Sequence, residues 1–156
     1  MHHFFQPLIC GSPKILILGT FPSPISRGKG EYYGNPQNKF WRIIFDVFKV
    51  RFDNPSYDEK KQVLYNNNLA LWDVIESCEI TGALDKDIKN PVYNQILPYF
   101  IEANKIQTVV FNGQKAYEFY RRRIGTIEKN ILPSTSPANS RLSYDEKLSA
   151  WAKALQ

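Results

Sequence analysis

Histidine is nearly missing from this chain: the only two, His2 and His3, sit side by side at its start. A Ser/His/Asp arrangement is therefore excluded, and the body of the chain offers no histidine as general base. The terminal pair could bind a metal, but at a flexible end it reads more simply as an unimportant pair. Cysteine is as scarce. Cys10 and Cys78 form no CxxC, which argues against zinc or an iron–sulfur cluster and leaves two reduced structural thiols. There is no HExxH, no acidic metal cage, and no GK[ST] after the glycines, so no P-loop. No apolar run is long enough for a bilayer, and no signal-peptide pattern opens the chain. A soluble, intracellular, cytoplasmic protein with no membrane partner is expected.

What is present fits one domain over residues 1–156, with 43% hydrophobic residues to form its core. The net charge of +5 and a pI near 9.2 suit a polyanionic partner such as DNA, although many basic domains bind none. No repeat, low-complexity segment or dividing linker interrupts the chain. A monomer is the default expectation.

The chain is organised around Lys14 to Phe48. An apolar run, Ile15–Leu18, breaks at Gly19-Thr20-Phe21-Pro22. A glycine-rich aromatic loop, Gly28 to Asn38, follows. Phe40, Trp41, Ile43, Ile44, Val47 and Phe48 then recur at helical spacing, predicting a helix after Pro36 to about Val50. Further strands are expected at Leu69–Trp72, Thr108–Phe111 and Asn130–Leu132. Helices are expected from Ser56 to the asparagines at 66–68, from Asn90-Pro91, from Asn112-Gly113 to about Arg123, and over Tyr144–Leu155. Residues 1–13 read as an irregular lead-in, and Cys78 to Asn90 as a loop. Alternating strands and helices predict an α/β fold, a parallel sheet covered by helices on both faces.

Four loops then leave one edge of the sheet: GTFPS, WDV, FNG and LPSTSPANS. Each has a plain and a functional reading. Gly28, Gly30 and Gly34 with Tyr32 and Tyr33 form either a surface loop or a close approach to a flat ligand. Ser134, Thr135 and Ser136 before Pro137 form either a Pro/Ser turn or a set of phosphate donors. Asp73 and Asn112 either cap the next segment or read a ligand edge. Arg121–Arg123 has a sufficient reason in the dipole of the helix it ends. Any catalysis must run on amides, carboxylates and backbone dipoles.

GTFPS, YYGNPQNKFW, LALWDVIESCEITGALD, VVFNGQKAYEFY and LPSTSPAN together resemble the uracil-DNA glycosylase superfamily, and most of all its hypoxanthine-DNA glycosylase branch, family 6. The resemblance covers about residues 14 to 140. Each motif alone is weak, and the five in order at strand ends are specific. It implies a three-layer α/β/α sandwich around a four-stranded parallel sheet. It also implies a monofunctional N-glycosylase that acts on double-stranded DNA containing a deaminated base, leaves an abasic site, and uses no cofactor and no metal. One departure matters. Uracil and mismatch branches carry a polar catalytic residue where this chain has Phe21. The family-6 pattern shifts the important amide to Asn38.

The resemblance thus implies Asn38 and Asp73 as catalytic residues, Asn38 positioning water and Asp73 reading the base. Gly19, Thr20, Phe21, Tyr33 and Asn112 are implied as the base pocket, Phe21 stacking on the base. Ser134 and Ser136 would hold phosphate. The loop from Pro137 to Leu142 would supply a wedge, with Arg141 or Leu142 as the inserted residue. A uracil or G·T/G·U mismatch glycosylase and a non-catalytic lesion-binding module are the alternatives. A small-nucleotide hydrolase is a weaker third.

Overall fold

The computed structural model describes residues 2–3, 5–123 and 125–156. Four strands form the expected parallel sheet: β2 (Ile15–Gly19), β3 (Leu69–Asp73), β6 (Thr108–Asn112) and β7 (Glu128–Leu132), in the order β3-β2-β6-β7. The two central strands are buried along nearly their whole length, which explains their unbroken apolar runs.

Strand alternation sorts the core into two layers. Ile17, Leu71 and Val110 face helices α2 (Phe40–Val47), α3 (Tyr57–Asn66) and α6 (Tyr144–Leu155), meeting Phe40, Trp41, Leu64 and Trp151. Leu16, Leu18, Val109 and Phe111 face the other way, onto Leu97 of α4 (Leu97–Ala103) and Ala116 and Tyr120 of α5 (Gln114–Tyr120). The three-layer α/β/α expectation holds.

Several local expectations need correction. The loop expected over Cys78–Asn90 and the helix expected from Asn90-Pro91 are a hairpin, β4 (Ile75–Ile80) and β5 (Ile88–Tyr93). Asn90 cannot be an N-cap, because its φ of 49° is left-handed whereas a cap needs extended backbone. Pro91 is tolerated because β5 is an edge strand. The helix starts later, at Leu97, with Pro98 in its first turn, where a missing N–H costs nothing. The lead-in is not all irregular. Its β1 (His2–His3) pairs with β4, and Leu8 bridges Leu71 through two backbone hydrogen bonds of 2.9 and 3.0 Å. Met1 and Phe4 lie outside the described residues.

The GTFPS-to-Asn38 segment also contains an unexpected helix, α1 (Pro24–Lys29). Ser23 caps it by accepting from the Ser26 N–H at 3.2 Å, Pro24 occupies its first turn, and Gly30 ends it at φ 68°. The rest of the segment is tied down. Gly34 N–H donates to Ser26 Oγ, Tyr32 N–H to Tyr57 Oη, and Trp41 Nε1–H to the Tyr32 carbonyl.

Candidate active site

Because the four strands are parallel, Gly19, Asp73, Asn112 and Leu132 end on one edge. Gly19 stands opposite Asp73 in register, and Asn112 opposite Leu132. The chain leaves β2 toward β3 on one side and reaches β6 on the other, so the strand order reverses beside β2. Crevices open at such a switch point. A cavity of about 160 Å³ lies there. It is lined by Gly19, Thr20, Phe21, Tyr33, Asn38, Asp73, Asn112, Ser134, Ser136 and Pro137. Arg141 and Leu142 are not brought to it. Both are exposed, and Leu142 lines a second cavity next door.

Asp73 is 4% exposed, and its Oδ2 has no hydrogen-bond partner among the described residues. A buried carboxylate without donors resists ionisation. Burial first, and the charge of Asp85 second, push Asp73 up to about 7. Asp85 lines the same cavity and accepts from Thr20 Oγ1 at 2.7 Å. Its own pKa is raised by burial, against the lowering effect of the Thr20 hydrogen bond and Lys115. Asp85 closes the LALWDVIESCEITGALD motif, yet nothing in its sequence context gives it a role. The β4–β5 hairpin brings it back over the sheet edge.

Gly19 is required by space. A Cβ there would stand 2.7 Å from Asp73 Oδ1 and 2.8 Å from Tyr33 Oη. Tyr33, at φ 53°, stacks on Phe40 with ring centroids 4.1 Å apart and turns its hydroxyl into the cavity wall. Burial, then the Asp73 charge, raise its pKa far above the usual phenol value.

Asn38 is half-buried, and its Oδ1 accepts from the Phe40 N–H at 2.9 Å. Only oxygen can accept there, so this bond fixes which way the amide faces. The second Oδ1 lone pair and both Nδ2 protons remain for the cavity. Asn112 is more heavily engaged. It donates to Tyr33 Oη and Thr135 Oγ1 and accepts from the Thr135 N–H, each at 3.0 Å. Both its N–H bonds are occupied, so its amide clamps the loop after β7 to the end of β6. Thr135, grouped in the sequence with Ser134 and Ser136 as a phosphate donor, is instead fully buried and forms the other half of that clamp. Ser134 Oγ and Ser136 Oγ accept from the N–H groups of Ser136 and Ala138 respectively, a turn that leaves both hydroxyls lining the cavity. Phe21 is half-buried with the Arg27 guanidinium 5.7 Å from its ring centre.

The switch-point crevice thus brings an oriented carboxamide, a carboxyl of raised pKa, a flat ring and a hydroxyl-rich turn together at one end of a parallel sheet. The Uracil DNA glycosylase superfamily profile matches residues 7–155, and the chain belongs to that superfamily. A Hypoxanthine DNA glycosylase of Methanosarcina barkeri (strain Fusaro / DSM 804) is 36% identical over 154 residues, 97% of this chain and 96% of the relative. Another Hypoxanthine DNA glycosylase, from Methanosarcina acetivorans, is 35% identical over 149 residues, covering 94% and 93%. The solution NMR structure of a uracil DNA glycosylase candidate from Methanosarcina acetivorans superposes with a TM-score of 0.84 at 32% identity, over 98% of this chain and 95% of that one.

Proposed function

We propose that this chain is a single-domain, monomeric and monofunctional DNA N-glycosylase. It flips a deaminated base, hypoxanthine by preference, from double-stranded DNA into the switch-point cavity and hydrolyses its N-glycosidic bond. The observation that carries the reading is the meeting of Asn38, Asp73 and Phe21 in one cavity, with the amide already oriented. The names of the two Methanosarcina relatives support the choice of hypoxanthine. Such an enzyme works inside the cell, where its DNA is.

A stacked base is out of reach, so extrusion costs a few kcal/mol. Stacking on Phe21 and hydrogen bonds at the cavity floor offset part of that. Hypoxanthine presents an N1–H donor, which ionised Asp73 accepts. Held near neutrality by burial and Asp85, the same carboxyl can instead donate a proton as the purine leaves with the glycosidic electron pair. Asn38 accepts a hydrogen bond from water on its free Oδ1 lone pair and so aims the water oxygen at the anomeric carbon, and the proton that water loses on attack passes to solvent. An amide is a poor base, but an oxocarbenium-like sugar needs little activation of its nucleophile. The work is positioning and fixed dipoles. Ser134 and Ser136 hold backbone phosphate, and the loop to Leu142 enters the gap in the duplex.

Phe21 argues against uracil or mismatch specificity, since it cannot orient water. Duplexes containing inosine, uracil, xanthine or a G·T mismatch, incubated with the protein and assayed for free base, test the reading. Fastest release from inosine is expected. Release of uracil alone would overturn the specificity, and release of nothing would overturn the enzyme.

A further inference from the structure

Beyond Ser136 and Pro137 lies a second cavity, of about 330 Å³, whose wall includes Lys39, Asn139, Leu142, Tyr144 and Lys147. Lys147 is only 5% exposed and sits in the first turn of α6, where the helix dipole disfavours a cation. Its ammonium donates to the Asn139 carbonyl at 2.6 Å. An ammonium has three N–H bonds, and a buried one ordinarily meets a carboxylate. Among the described residues neither Lys147 nor Lys39 has a carboxylate within 4.0 Å. Of the acidic side chains around Tyr144, Asp145 in the same first turn forms no ion pair among the described residues, and two others are engaged elsewhere. Asp46 accepts from the Tyr144 hydroxyl and pairs with Arg42 at 3.9 Å, while Glu146 accepts from the Ser143 N–H at 3.2 Å. Burial, and then the charge of Lys39, lower the Lys147 pKa from its ordinary value. Two like charges thus converge on one open cavity that the protein does not neutralise.

We propose that this second cavity is a seat for one phosphodiester of the DNA backbone, held by Lys39 and Lys147. The inference rests on the DNA reading of the first cavity. The two cavities share Ser136 and Pro137 as a common ridge. A strand that delivers a nucleotide into the first must cross that ridge, and its adjoining phosphate then meets the lysines. The anion relieves the repulsion between them and gives the Lys147 ammonium, which already donates to the Asn139 carbonyl, a charged partner.

The test is the affinity for an inosine-containing duplex across a range of salt, for wild type, Lys39→Gln, Lys147→Gln and the double variant. Each phosphate contact contributes a slope of about 0.9 in log affinity against log salt, so the double variant should lose about one unit of slope. A methylphosphonate walked along the strand should weaken wild type at one position beside the lesion and leave the double variant indifferent there. Lys39 is exposed, so its variant reports even if Lys147→Gln folds poorly. An unchanged slope, or a deficit equal at every methylphosphonate position, would overturn the seat. If the wild type shows the lysine-dependent pattern but frees no base from any duplex, the glycosylase reading falls and the seat stands.

Discussion

Asp73 carries the sharpest residue-level consequence. Its carboxyl titrates near 3.8 when unfolded and at about 7 in the fold. Between those values the folded state holds a proton that the unfolded state has released. Stability therefore falls as pH rises from about 4 to 7, at up to roughly 1.4 kcal/mol per unit from this group alone. Asp73→Asn should remove that slope and be more stable than wild type at pH 8, by denaturant melts, while losing hypoxanthine release there. Equal slopes in both proteins would contradict the protonated, donor-poor site. Gly19 makes the complementary case. Gly19→Ala drives a methyl against Asp73 and Tyr33, and overpacking of this kind costs typically 1–3 kcal/mol. A melting temperature within a degree of wild type would mean the contact is soft.

At the scale of elements, the clamp between β6 and the loop after β7 shapes the site more than any single strand. Asn112→Ala leaves the buried Thr135 N–H without an acceptor, at about 1–3 kcal/mol. Faster amide exchange at Thr135 and its neighbours, with the α2–α3 core unchanged, is the expected signature. Exchange that stays slow there would show the loop holds itself. The clamp also shows where sequence reading stops. That Asn112 ends a strand is legible from TVVFNG, but its partners, Tyr33 and Thr135, lie 79 and 23 residues away along the chain. The buried strands, the capped helix at Ser56 and the helix over Tyr144–Leu155 are legible because their signals are local. The β4–β5 hairpin is not, because Asn90-Pro91 mimics a helix start and only pairing with β4 decides otherwise. Helix α1 carries a serine cap, a proline and a terminal glycine, yet its glycines invite a loop reading. Asp85 joins the site only once that hairpin has formed.

The whole molecule, of net charge +5, places a switch-point crevice and an oriented amide on one edge of a parallel sheet. None of these alone requires chemistry, since a lesion-binding module needs the same charge and the same crevice. What separates enzyme from binder is Asn38, whose side chain is fixed by the Phe40 N–H and still has hydrogen-bonding capacity to offer a water molecule. The most direct test is single-turnover release of hypoxanthine from an inosine-containing duplex by wild type and Asn38→Ala, with duplex affinity measured alongside. Asn38→Ala is expected to keep its affinity and to cleave about 10²–10³-fold more slowly, the usual loss when one preorganised polar group is removed. A variant that cleaves at the wild-type rate would contradict that expectation.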